Sequence, residues 1–234
     1  MLQVSEPMDG RALRAQQRRE QRRSEILVAA TRVFRAKGYH AASVGDIIDR
    51  AQIARGTFYL YFNSKREIFT ELTTVFLGLI RGSVRKISLE AGAPEPIEQM
   101  RANFRRVMGT VLTHDDLATI MLRDPEELDP QGQAQMQQFF DQVIELIELA
   151  VRTGRALGFA RDCNDHIIAV SALGALREVL RRMLAARAEA ADRSLGGSKE
   201  NPKGPGLESS RALLVDTERL ADELVTFFVR GVFT

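Results

Sequence analysis

Apolar positions recur along this chain with the period of an α-helix. From about 23 to 37, Ile26, Leu27, Ala30, Val33 and Phe34 make one stripe, and Gly38 follows at a position suited to a left-handed helix stop, with Tyr39 as its apolar contact. Val44, Ile47, Ile48 and Ala51 fall at i, i+3, i+4 and i+7 in a shorter segment, which is therefore apolar on one face only. Phe58 and Phe62 mark one side of a third segment, whose other sides carry Arg55, Thr57, Tyr59 and Tyr61. Longer stripes run from Ile68 through Phe76 to Ile80, from Ile97 through Phe104 to Leu112, from Met136 through Ile144 to Val151, and from Leu213 through Leu224 to Val232.

Boundaries between these segments are written in capping chemistry. Ser43 with Asp46 reads as a capping box, because the hydroxyl can accept from the third helical N–H while the carboxylate reaches back. Ser64 with Glu67 repeats the pattern and opens a helix expected to end before Gly92. Pro94 and Pro96 suit the first turn of the next helix, which reaches about Thr113; a short segment over 115–123 and a turn from Asp124-Pro125 to Asp129-Pro130 follow. Asn164 or Asp165 caps a helix in which Ala, Gly and Ser alternate with Leu, Val and Met, a composition that lets another helix approach closely. Residues 192–209, rich in Gly, Pro, Ser and charge, read as a flexible loop, and the last helix covers about 210–233.

Two short helices joined by Gln52-Ile53-Ala54, the second with a polar aromatic exterior, describe a helix-turn-helix whose second helix enters the major groove. Gly38-Tyr39, Ser43-Val44, Ile47, Ala51, Gly56-Thr57-Phe58-Tyr59, Tyr61-Phe62 and Ser64-Lys65 resemble, in order and spacing, the DNA-binding domain of TetR-type bacterial transcriptional repressors. The resemblance implies an all-α homodimer of about nine helices. It further implies an N-terminal three-helix domain over 21–70, preceded by a basic arm at 1–20, and a ligand-binding and dimerisation domain over 71–234.

Chemistry and resemblance together nominate Ser43, Val44, Arg55, Gly56, Thr57, Tyr59, Tyr61 and Lys65 for DNA contact. Arg55 leads for base reading, since its guanidinium fork matches the acceptors of guanine. Gly56 lets backbone come close to a phosphate. Lys65, in the first turn of its helix, opposes the helix dipole, and a DNA phosphate would supply the missing anion. Three positions depart from the family pattern: Gln52 stands where the turn usually has glycine, Ala54 replaces a serine-like cap, and Gly45 replaces a base-reading side chain found in some relatives. Losing such a cap costs about 1 kcal/mol.

Charge distribution agrees with a nucleic-acid partner. Residues 1–70 carry 13 Lys and Arg against 7 Asp and Glu, a balance of +6, whereas residues 71–234 carry 20 against 24, a balance of −4. Arg11, Arg14, Arg18, Arg19, Arg22 and Arg23 make the N-terminal arm a candidate for phosphate or minor-groove contact. A single cysteine, Cys163, excludes an internal disulfide, and the absence of an apolar leader or a long apolar run leads us to expect a cytoplasmic protein.

An enzyme is disfavoured, because the chain has no His-Glu-x-x-His, Glu-x-x-His, Walker or Gly-x-Ser-x-Gly motif. Asp162-Cys163-Asn164-Asp165-His166 lacks the second ligand pair that zinc requires, so no metal or cofactor is expected. Phe104, Met108, Met121, Met136, Phe140, Ile144 and Arg177 are the candidates for contact with a largely apolar small-molecule effector, with Arg105, His114 and Arg123 as further polar anchors. Dimerisation is expected through the helices near 165–188 and 210–233. The expected function is a repressor released from a palindromic DNA operator by that effector.

Overall fold

A computed structural model describes residues 10–123, 128–158 and 160–195, with Arg219, 222–224, Thr226 and Phe227 near the C-terminus. Its helices are α1 (Gly10–Lys37), α2 (Val44–Ala51), α3 (Arg55–Tyr59), α4 (Lys65–Ser83), α5 (Pro96–Thr113), α6 (Asp115–Met121), α7 (Pro130–Ala156) and α8 (Asp165–Leu195). The described residues near the C-terminus are helical as well, and no strand occurs among the described residues. The chain is thus all-helical, as expected. It divides into two compact units after Leu72, within α4.

Unit 1 is built around aromatic packing. Phe34, Tyr39 and Phe69 contact one another, with centroid separations of 5.5, 6.4 and 4.8 Å, and join α1, the turn after it and α4. Gly38, at φ 80, makes the turn in a conformation that only glycine adopts without strain. Ile26, Ile47, Phe58 and Ile68 are fully buried and complete this core.

Helix α1 begins at Gly10, not near residue 23, so the basic arm expected over 1–20 is helical from Gly10 onward; residues 1–9 lie outside the described residues. Local pairs one turn apart explain the extension: Gln16 donates to Glu20 at 2.9 Å and Arg22 to Glu25 at 2.6 Å.

In unit 2, α7 packs against α8, α5 against α6, and α6 against α8. Part of α4 runs beside α7 in the same direction. Gln135 donates to the buried Thr73 hydroxyl at 3.2 Å, Phe76 stacks on Phe139 at 5.9 Å, and Arg81 donates to Gln142 at 3.2 Å. Helix α4 ends at Ser83, well before Gly92. The Ser83 hydroxyl turns back to the Ile80 carbonyl, and the next stretch is held by side-chain amides of α5. Asn103 accepts from the Arg85 N–H and donates to the Arg85 carbonyl; Gln99 does the same for Ser88. A backbone whose N–H and C=O groups are satisfied this way has no need of helical partners.

Asp129 caps α7 by accepting from the Gly132 N–H at 2.7 Å, and Asn164 caps α8 by accepting from the Ile167 N–H at 3.0 Å. Helix α8 continues to Leu195, past the predicted loop start at 192; the rest of that loop, most of the predicted last helix and the turn at 124–127 lie outside the described residues.

Candidate nucleic-acid interface

Helix α2 starts as its sequence dictates. Ser43 Oγ accepts from the Asp46 N–H at 3.1 Å and donates to Asp46 Oδ2 at 2.8 Å, while the Ser43 N–H donates to the same carboxylate at 2.9 Å. Lys37, at the end of α1, adds an ion pair to Asp46 at 2.5 Å. Lys37 and then the Ser43 donors hold the Asp46 carboxyl down to about 2, because every partner favours the charged form.

The turn into α3 contains the one described non-glycine residue with positive φ. Gln52 sits at φ 52 and ψ 48, where glycine would fit without strain, and closes α2 by donating its N–H to carbonyls of that helix. Ala54 is the N-cap of α3 and supplies no side-chain hydrogen bond. Helix α3 is therefore held from behind. Phe58 is fully buried, Phe62 is 1% exposed, and the two rings lie 6.3 Å apart. Arg55, Gly56 and Tyr59 face solvent while Thr57 is half-buried. A Cβ added at Gly56 would meet nothing within 4 Å, so the backbone there is open to an approaching group. The Arg55 guanidinium stands 6.0 Å from the Tyr59 ring centroid, which itself meets Phe58 edge-on at 5.3 Å. Tyr61 is half-buried beside the exposed Leu60.

Three nominated residues also have tasks inside unit 1. Lys65 donates to the carbonyls of Tyr39, His40 and Ala42 at 2.8, 3.0 and 2.8 Å, and its ammonium lies 4.7 Å from the Tyr39 ring centroid. An ammonium has three donors, so all are engaged inside the protein. These contacts hold the ammonium against the turn after α1. Ser43 is taken up by its capping box, and Val44 is half-buried on the core side of α2. The second expected box is also incomplete. Ser64 Oγ accepts from the Glu67 N–H at 3.2 Å, but the Glu67 carboxylate accepts from the N–H and side chain of Asn63 at 2.8 and 3.0 Å.

Arg23, grouped with the arm in the sequence, is engaged within unit 1. Its guanidinium covers the Phe62 ring at 4.7 Å and pairs with Glu71 of α4. The signal was its register: Arg23, Ile26, Ala30 and Val33 share one stripe of α1, so Arg23 points toward the core behind α3.

Among the effector candidates, Met108, Met121, Met136 and Phe140 are buried in unit 2, and Phe104 and Ile144 are half-buried. The structure brings Arg177 of α8 over the Phe140 ring of α7, at 4.0 Å, and burial lowers the Arg177 pKa from its usual value. Two of the other proposed anchors are engaged: Arg105 pairs with Asp222, remote in sequence, at 2.8 Å, and His114 Nδ1 lies 2.9 Å from the Thr110 carbonyl one turn back. Near Cys163, His166 meets Glu148 at 2.8 Å and Asp165 meets Arg155 at 2.8 Å. No group of three or more His, Cys, Asp or Glu among the described residues could hold a metal ion.

Comparison with known proteins places both units. Residues 26–72 match the model of the bacterial regulatory proteins, tetR family, and residues 93–181 match that of the tetracyclin repressor-like C-terminal domain. A relative, the uncharacterized HTH-type transcriptional regulator YdgC of Bacillus subtilis strain 168, is 40% identical over 70 residues, which are 30% of this chain and 36% of that relative. Similar solved structures include a TetR-family regulator from Syntrophomonas wolfei, with TM-score 0.64, 22% identity and 90% and 94% of the two chains covered. AibR, solved with isovaleryl coenzyme A and operator DNA, gives TM-score 0.58, 18% identity and 88% and 97% coverage. With a matching DNA-binding model over the helix-turn-helix and a matching regulatory model over unit 2, the chain belongs to the tetR family of bacterial regulatory proteins and is a DNA-binding transcriptional regulator.

Proposed function

We propose that this regulator is a homodimeric repressor that binds a palindromic operator and is released by a small, largely apolar effector. The observation that carries the reading is α3. Its solvent side presents a guanidinium, an unobstructed glycine, a hydroxyl and a phenol at Arg55, Gly56, Thr57 and Tyr59, while Phe58 and Phe62 anchor it from behind. Arg55 reads a guanine, and Tyr59 and Tyr61 contact backbone or base edges.

Dimerisation is supported by α8. Ile167 and Val170 are 62% and 44% exposed, and Ser171, Gly174 and Ala175 share that face. Small residues beside exposed apolar ones suit the close approach of a second helix, consistent with an interface through the regions near 165–188 and 210–233. An effector site among Phe104, Met108, Met121, Met136, Phe140, Ile144 and Arg177 is supported by their apolar burial in unit 2 and by the Arg177–Phe140 contact. AibR, a structural neighbour, was solved with an acyl coenzyme A, which makes acyl thioesters the first class to screen. Release requires only that the effector prefer the conformation with misplaced recognition helices; a tenfold loss of operator affinity needs about 1.4 kcal/mol. Acting on DNA places the protein in the cytoplasm, and no described helix is long and apolar enough to cross a membrane.

The test is binding to an inverted repeat upstream of the gene. Arg55→Ala should cost about 1–3 kcal/mol and relax preference at one base pair per half-site. Unchanged affinity and preference would remove Arg55 as the base reader.

A further inference from the structure

Unit 1 carries, besides the exposed side of α3, a groove between α1 and the residues that follow the recognition helix. Arg18, Arg19, Arg22 and Glu25 line one wall together with Ala15 and Gln21, and Leu60 and Tyr61 line the other. Positions 15, 18, 19 and 22 stand at i, i+3, i+4 and i+7, so they share one face of α1 over about 10 Å of its axis. Their charges are not equivalent. Arg22 is matched by Glu25 at 2.6 Å, and the nearby Glu20 is engaged by Gln16 at 2.9 Å. Arg18 and Arg19 are exposed and have no carboxylate partner among the described residues.

Neither guanidinium has an internal counter-ion among the described residues, so neither gains from the fold what an external anion would supply. Across the groove, Leu60 is 71% exposed, the most exposed large apolar side chain among the described residues, and Tyr61 adds a phenol. Free cations facing an apolar wall suit a partner that alternates anionic and apolar groups, as phosphate and deoxyribose do along a DNA strand. The groove is also continuous with α3, because Leu60 and Tyr61 directly follow Tyr59.

Resting on the operator-binding reading above, we infer that this groove takes the sugar-phosphate backbone of the duplex beside the major groove occupied by α3. Arg18 and Arg19 hold phosphates and Leu60 packs on a sugar. Such contacts carry no sequence information; they fix register and add salt-dependent affinity.

The experiment follows anisotropy of a fluorescein-labelled mixed-sequence duplex of about 30 bp, titrated with the full-length chain between about 50 and 200 mM KCl. Arg18→Gln and Arg19→Gln should each make the slope of log K against log salt shallower by about 1, and the double variant by about 2. If the lines meet near 1 M salt, the double variant binds about a hundredfold more weakly at 0.1 M. Arg32→Gln removes one charge from the same helix outside the groove and should leave the slope unchanged. Ala15→Glu, which adds to the groove a second carboxylate beside that of Glu25, should also weaken binding, with helical content by circular dichroism confirming that each variant is folded. An unaltered slope in the double variant, an equal loss from Arg32→Gln, or full affinity in Ala15→Glu overturns the groove assignment. If the wild-type chain binds neither this duplex nor the upstream repeat, it is the operator-binding reading that fails.

Discussion

Lys65 and Tyr39 form a joint between the start of α4 and the turn after α1: the ammonium lies over the ring at 4.7 Å and donates to the Tyr39 carbonyl at 2.8 Å. With the His40 and Ala42 carbonyls also satisfied, this one side chain fixes the backbone leading into α2. Lys65→Gln should therefore lower stability by about 1–3 kcal/mol, the cost of leaving such acceptors unpaired. Lys65→Arg should not restore it, because a planar fork cannot aim three donors at converging carbonyls. Urea denaturation measures the loss. The salt slope of DNA binding separates this role from a phosphate contact, and a slope shallower by about 1 in a fully stable variant would mark Lys65 as a phosphate contact.

Gln52 holds a left-handed conformation that costs an L-residue roughly 1–2 kcal/mol. Because its side chain is exposed, Gln52→Gly forfeits no packing. The substitution should raise the urea midpoint by an amount equivalent to about 1 kcal/mol, with an unchanged m-value. A lower midpoint would mean that the side chain has a contact of its own.

Gly56 separates folding from binding. A methyl group there meets open space and improves helix propensity, so Gly56→Ala should leave stability unchanged or raise it by up to about 1 kcal/mol. The same methyl stands where DNA must come close, and affinity should fall for every sequence tested. Thermal unfolding and anisotropy on one sample check both halves; tighter binding would contradict the proposed approach of the backbone.

Acid should loosen the joint between α1 and α2. The Asp46 carboxyl titrates at about 2 in the folded chain and near 3.9 when unfolded. A depressed folded pKa stabilises above the unfolded value, and that contribution is lost as pH falls from about 4 toward 2. Asp46→Asn should accordingly flatten the acid limb of the stability curve while lowering stability at neutral pH. Carbon-detected NMR of the Asp46 carboxyl gives the midpoint directly, and a value near 4 would refute the pairing with Lys37.

Much of this is legible in the sequence alone. Helical periodicity located the elements, and the cap at Ser43 with Asp46 was correct in each of its hydrogen bonds, because caps involve residues three apart. Local pattern is silent where a distant partner intervenes. Helix α4 ends before Gly92, as expected, but its end at Ser83 goes with the capture of the stretch beyond it by Gln99 and Asn103, a relation invisible to local pattern. Arg23 reads as one more basic residue until Phe62 and Glu71 are brought to it.

By itself, the sequence determined that this chain is helical, that a basic helix-turn-helix heads it, and that Arg55, Gly56, Thr57 and Tyr59 lie on one short helix, since those properties follow from periodicity, capping and charge along the chain. Only the tertiary structure decided which polar groups stay free for a partner. Lys65 and Arg23 are engaged by segments remote in sequence, whereas Arg18 and Arg19 are not, and whether a cation has an internal counterpart depends on the residues that folding brings beside it.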